Sequence, residues 1–127
     1  TKQRPNVRYS APIAAATVIF KGSIVVLDAS GNAEPGETAT GKVSYGVACE
    51  TVDNSGGSAG DKSVEIEKGV FAFDNSAAGD LIARAQIGDD AYIVDDQTVA
   101  KTDGSSSRSV AGKIMDVDAD GIWIEFN

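Results

Sequence analysis

The closing stretch, Val110 to Asn127 (VAGKIMDVDADGIWIEFN), constrains what this chain can fold into more than any other. Two apolar runs, Ile114–Val117 and Ile122–Phe126, flank Asp118-Ala119-Asp120-Gly121, and an Asp-Gly pair between alternating apolar segments is a strong hairpin signal. A two-residue Asp120-Gly121 turn would set Asp116 opposite Glu125, and directly opposed like charges destabilise a sheet. A four-residue loop avoids this by pairing Val117 with Ile122, Asp116 with Trp123 and Met115 with Ile124. Either register predicts that Met115, Val117, Ile122, Ile124 and Phe126 share one face, and that face needs a core to cover.

The rest of the chain has the same texture. Short aliphatic and β-branched runs are separated by Gly, Ser, Asn and Asp, with 14 Gly and 3 Pro in 127 residues. That pattern predicts one all-β domain, a compact small β-barrel or β-sandwich, large enough to bury about two-thirds of its unfolded surface. The single cysteine, Cys49, cannot close an internal disulfide. It reads as a small buried hydrophobe, and the composition is compatible with assembly in a reducing cytoplasm. No charged-then-apolar leader and no apolar run near about 18 residues signals secretion or membrane insertion.

Charge divides the chain in two. Residues 1–10 (TKQRPNVRYS) carry Lys2, Arg4 and Arg8 with no acid, and show no period that would give them a buried face. They read as an extended basic N-terminal arm preceding a β-domain over residues 11–127. The other residues hold 8 bases against 19 acids, a net −11, which would repel nucleic acid. Such an arm is drawn to an acidic surface, either a partner's or a neighbouring copy's, with Arg8 and Tyr9 at its inner end. A terminus without a role is the alternative.

Along the domain, Ile13–Phe20 and Ile24–Leu27 fit a first pair of core strands, the second with both faces covered. Asp28 to Thr40 reads as a turn-rich loop, and Val43–Val52 as strand. In Ser63–Phe73, Val64 and Ile66 alternate with Glu65 and Glu67 before the phase switches to Phe71 and Phe73, so a β-bulge is expected at Gly69. Gly79–Gly88 is the stretch with helical spacing, predicting one short helix of one or two turns. Tyr92–Val94 and Gln97–Lys101 follow as strands, then a Ser-rich loop over 102–107.

Chemistry has little to work with. The chain holds no His, and Cys49 has no imidazole partner, so an enzyme is not expected and no catalytic residue is assigned. Asp116, Asp118 and Asp120 reproduce the opening D-x-D-x-D-G of a calcium loop. The twelfth position, however, is Asn127 in place of the bidentate Glu, and strands replace the flanking helices, so turn geometry explains the carboxylates better and no metal or cofactor is expected. Trp123 falls on the hairpin face opposite Ile122 and Ile124. It reads either as an interface anchor or as cover for a second layer or barrel end.

The order of segments GSIVVLDASGNAEP, YGVACETVDNSGGSAGDKSVEIEKGVFAF, IGDDAYIVDDQTVAKTDG and AGKIMDVDADGIWIEF resembles the small head decoration, or capsid cement, proteins of tailed bacteriophages and Mu-like prophages, over about Ile13 to Phe126. The resemblance implies a non-enzymatic β-domain on the outer surface of the virion capsid. It would be made in the bacterial host cytoplasm and would bind major capsid protein and neighbouring copies of itself as a homotrimer, with no direct nucleic acid or membrane contact. It brings no catalytic motif. The partner-binding candidates, Lys2, Arg4, Arg8, Tyr9 and Trp123, therefore come from the sequence alone.

Overall fold

The computed structural model describes residues 8–127. Their strands are β1 (Arg8–Pro12), β2 (Thr17–Ile19), β3 (Ile24–Leu27), β4 (Ala33–Pro35), β5 (Val43–Ala48), β6 (Val52–Asn54), β7 (Ser63–Glu67), β8 (Gly69–Phe73), β9 (Asp90–Ile93), β10 (Val99–Ala100), β11 (Val110–Asp118) and β12 (Gly121–Phe126). They form a first five-stranded sheet, β1-β7-β5-β3-β4, a second, β10-β9-β11-β12-β8, and a two-stranded ribbon, β2-β6. All neighbours in these sheets are antiparallel, and the domain is an all-β sandwich.

The first sheet is the middle layer. Its Ile24, Val26 and Val47 join Ile93, Ile114, Ile122, Ile124 and Phe126 in one core against the second sheet. From its other face Val25, Ala48, Val64 and Ile66 meet Ile13 and Ile19 in a second core, under the β2-β6 ribbon. Ile24, Val25 and Val26 are therefore all buried, which is why β3 is a continuous apolar run without alternation.

This double burial explains the phase switch in Ser63–Phe73. The stretch is two strands in two different sheets. The chain crosses from β7 to β8 at Lys68 and Gly69, with Gly69 at φ 150°, where the expected bulge would have kept it in one sheet. Val64 and Ile66 face one core and Phe73 the other, so the apolar phase changes because the buried side changes.

The hairpin keeps the longer-loop pairing at its tip: Val117 faces Ile122 and Asp116 faces Trp123, with Asp118 opposite Gly121. Further down, the register slips at a bulge between Ile114 and Asp116, so Ile114, not Met115, pairs with Ile124. Ile114 is fully buried and Met115 is 45% exposed, which corrects its assignment to the core face. An extra residue in one strand changes the phase of everything beyond it.

Other boundaries shift for local reasons. Of Ile13–Phe20 only Thr17–Ile19 is strand; Ala16 sits at φ 55°, and Ile13 makes an isolated bridge to Ala33. The loop expected over Asp28–Thr40 contains β4, an edge strand on β3. Arg8 to Ser10, assigned to the arm, are hydrogen-bonded into the sheet as the start of β1, opposite Glu67, Ile66 and Glu65. The expected helix is two separate 3-10 turns, Ala78–Asp80 and Arg84–Gln86. Between them Asn75 clamps the backbone of Ile82, accepting from its N–H and donating to its carbonyl, both at 2.9 Å. That clamp holds Ile82 in the core and prevents the helix from propagating through it.

The loop before β11 is strained. Gly104, Ser105 and Ser106 take φ values of 62°, 60° and 67°, a left-handed turn closed by Ser107 and Arg108 N–H groups donating to the Asp103 carbonyl. The Arg108 guanidinium and the Thr102 hydroxyl both donate to Asp80, which holds that carboxyl below its usual pKa, the Thr102 bond contributing most. A Cβ in this region costs about 1–2 kcal/mol, partly offset by the entropy of the unfolded chain. Ser105→Gly and Ser106→Gly are each expected to raise stability by about 0.5–1 kcal/mol, read from the urea midpoint. A loss of stability in both would show that the serine hydroxyls hold the turn.

Candidate functional site

The candidate partner-binding residues that the structure describes, Arg8, Tyr9 and Trp123, separate onto two surfaces. Lys2 and Arg4 lie outside the described residues. Arg8 and Tyr9 are on β1, an edge of the first sheet, while Trp123 is on β12 in the second. The structure does not gather them into one site.

At the β1 edge the Arg8 guanidinium is 3.6 Å from Glu65 and 3.9 Å from Glu67, both cross-strand on β7. These pairs are about half exposed and long, so they orient Arg8 and add little stability. Tyr9 packs toward Tyr45 of β5, ring centroids 6.4 Å apart and tilted by 56°. The Lys68 ammonium sits 4.7 Å from the Tyr45 ring centroid and 5.7 Å from that of Tyr9, and donates to the Tyr45 carbonyl at 2.6 Å. Burial pushes its pKa down, and the tyrosine faces and that carbonyl compensate the charge where it leaves water. Lys68 thus fixes the corner at which the chain changes sheets. Sequence reasoning missed it because Tyr9, Tyr45 and Lys68 are far apart in the chain and share no pattern.

Beside this edge a groove of about 310 Å³ is lined by Arg8, Lys21, Val47, Cys49, Glu67 and Phe71, among others. Cys49, expected in the core, is half-buried at the groove wall, and burial pushes its thiol pKa up, away from reactivity.

Trp123 projects from the outer face of the second sheet, with Asp116 and Ala72 as cross-strand neighbours. It belongs to neither core cluster. It is half-buried, and its indole N–H is enclosed with no hydrogen-bond partner among the described residues. The layer that covers part of this domain, the β2-β6 ribbon, lies over the first sheet and not over this face.

The Asp116, Asp118 and Asp120 carboxylates do not converge. Asp116 accepts from Arg84 at 3.2 Å and from the Val117 N–H, and Asp118 accepts from the Asp120 N–H in a turn. Among the described residues no three His, Cys, Asp or Glu side chains form a group able to hold a metal ion. No helix among them is long and apolar enough to cross a membrane. No family model, curated protein or solved structure matches the chain.

Proposed function

We propose that this chain is a capsid decoration protein, a non-enzymatic brace that binds the outer surface of a phage head and stabilises contacts between capsomers. The observation that carries the reading is the resemblance of its ordered segments, from GSIVVLDASGNAEP to AGKIMDVDADGIWIEF, to head decoration proteins. Several features support it. The domain is a small all-β sandwich with two closed cores, suited to bearing load. Its net charge of −8 suits a particle surface, and its basic residues at the start lead directly into the edge strand β1. The partners on this reading are major capsid protein and two further copies in a homotrimer, with the virion surface as its location.

Removal of residues 1–7 tests the arm while leaving Arg8–Pro12 of β1 in place. Many weak contacts repeated over a shell multiply, so loss of Lys2 and Arg4 is expected to weaken binding to expanded heads by about tenfold or more. The check is co-sedimentation of heads with the full and shortened chains, with cryo-EM for location. Equal binding would eliminate the arm's role, and density along a tail in place of protrusions between capsomers would eliminate the decoration reading.

A further inference from the structure

The strained loop before β11 spans residues 101–108, and both of its ends are fixed in the fold. Ala100 of β10 is fully buried, and the Lys101 N–H donates to the Asp80 carbonyl at 2.9 Å. At the other end Ser109 is buried, its hydroxyl donating to the Ala39 carbonyl at 2.7 Å and its carbonyl accepting from the Ile93 N–H at 2.9 Å. A change of shape can therefore be confined to the stretch between these anchors.

Inside the loop the closed shape works against itself. Gly104, Ser105 and Ser106 are left-handed in succession, a conformation that a Cβ disfavours, so Ser105 and Ser106 store strain that the surrounding contacts must hold. The turn closes over Arg108: a Cβ on Gly104 would stand 3.0 Å from the guanidinium carbon. The Arg108 side chain is 16% exposed, and its Nε–H is enclosed with no hydrogen-bond partner among the described residues. What compensates this covered cation is the Asp80 carboxylate at 3.2 Å, with the Thr102 carbonyl at 3.1 Å.

Asp80 joins the two halves of the loop, accepting from Thr102 near its start and from Arg108 at its end. Arg108 is the charged group that faces the carboxylate. Lys101 reaches Asp80 through its backbone N–H, and Asp103 uses its carbonyl inside the turn, where it accepts from the Ser107 and Arg108 N–H groups. Thr102 first and Arg108 next hold the Asp80 carboxyl below its usual pKa. A carboxyl lowered in the closed state strengthens closure above its ordinary pKa of about 3.9, and that contribution is lost as pH falls through the lowered value. Neutral Asp80 would leave a covered guanidinium without its counterion. Opening to water relieves that state and releases the left-handed strain as well.

We propose that residues 101–108 form an acid-released latch, shut by the charged Asp80 carboxylate and opening as a unit, with both cores intact, when that charge is removed. Arg108 is what the latch controls: covered and paired when the loop is shut, it is a free surface cation when the loop is open. The latch requires neither a partner nor the decoration reading.

The test uses the whole chain, with amide exchange followed by NMR and expressed as protection relative to the unstructured rate. The reporters are the Ser107 and Arg108 amides, which close the turn, and the Ile93 amide, which bonds to Ser109 just beyond it. Asp80→Asn keeps the shape of the side chain and removes its charge. At about pH 6 this variant is expected to lose about tenfold in protection at Ser107 and Arg108, while Ile93 stays within about twofold. Acidifying the native chain from about pH 6 to about pH 2 should produce the same loss at Ser107 and Arg108 before any at Ile93, and the variant should show no such step. Undiminished protection in Asp80→Asn would overturn the proposal. So would an acid step that survives in the variant, which would assign the switch to another carboxyl, or a matching loss at Ile93 in the variant at about pH 6, which would make the opening global.

Discussion

Gly112→Ala is expected to cost about 3 kcal/mol, near the upper end for overpacking a closed structure. Gly112 lies in β11, between β9 and β12, at the point where β11 shifts register against β9. A Cβ there would meet the Glu125 carbonyl oxygen and stand 2.9 Å from Ile124 Cγ2. The first obstacle is backbone of the paired strand, which cannot swing aside as a flexible side chain can. Relief requires β11 and β12 to separate, at the expense of ladder hydrogen bonds in the sheet that covers the larger core. Gly79→Ala is the matched control, since a Cβ there meets nothing within 4 Å, and a change within about 0.5 kcal/mol is expected. Urea unfolding followed by Trp123 fluorescence measures both. A Gly112→Ala loss below about 1 kcal/mol would mean that the strands tolerate wider spacing than this geometry allows.

The second large effect separates two adjacent residues. Ile114→Ala is expected to destabilise by about 3–4 kcal/mol, through lost transfer energy and the cavity left in a core that Ile122, Ile124 and Ile93 enclose. Met115→Ala should change stability by about 0.5 kcal/mol or less, because the bulge leaves Met115 45% exposed. Simple alternation through the hairpin assigns the opposite order. The same denaturation series decides between them, and a larger loss at Met115 than at Ile114 would place the extra residue elsewhere in β11.

How far the sequence determined this protein follows from the range of its signals. Turn chemistry at Asp118–Gly121 and avoidance of the Asp116–Glu125 clash specified the tip of the hairpin, because both act between residues close along the chain. Runs of β-branched residues specified the all-β class, and Ile24-Val25-Val26 announced a strand with both faces covered. Lack of His and of the bidentate ligand in the Asp loop pointed away from enzyme and calcium chemistry by composition alone.

The tertiary structure decided everything that depends on which surface a strand meets. The change of phase at Gly69 is a bulge in one sheet or a crossing between two, and no local rule separates these; the separate destinations of Val64 and Phe73 do. The bulge at Met115 depends likewise on β11 satisfying β9 and β12 together, each with its own register. The Tyr9, Tyr45 and Lys68 cluster exists only once distant segments lie side by side. Side-chain periodicity is a property of one strand, whereas burial, register and edge exposure belong to pairs of strands far apart in the chain, and only the closed fold fixes those pairs.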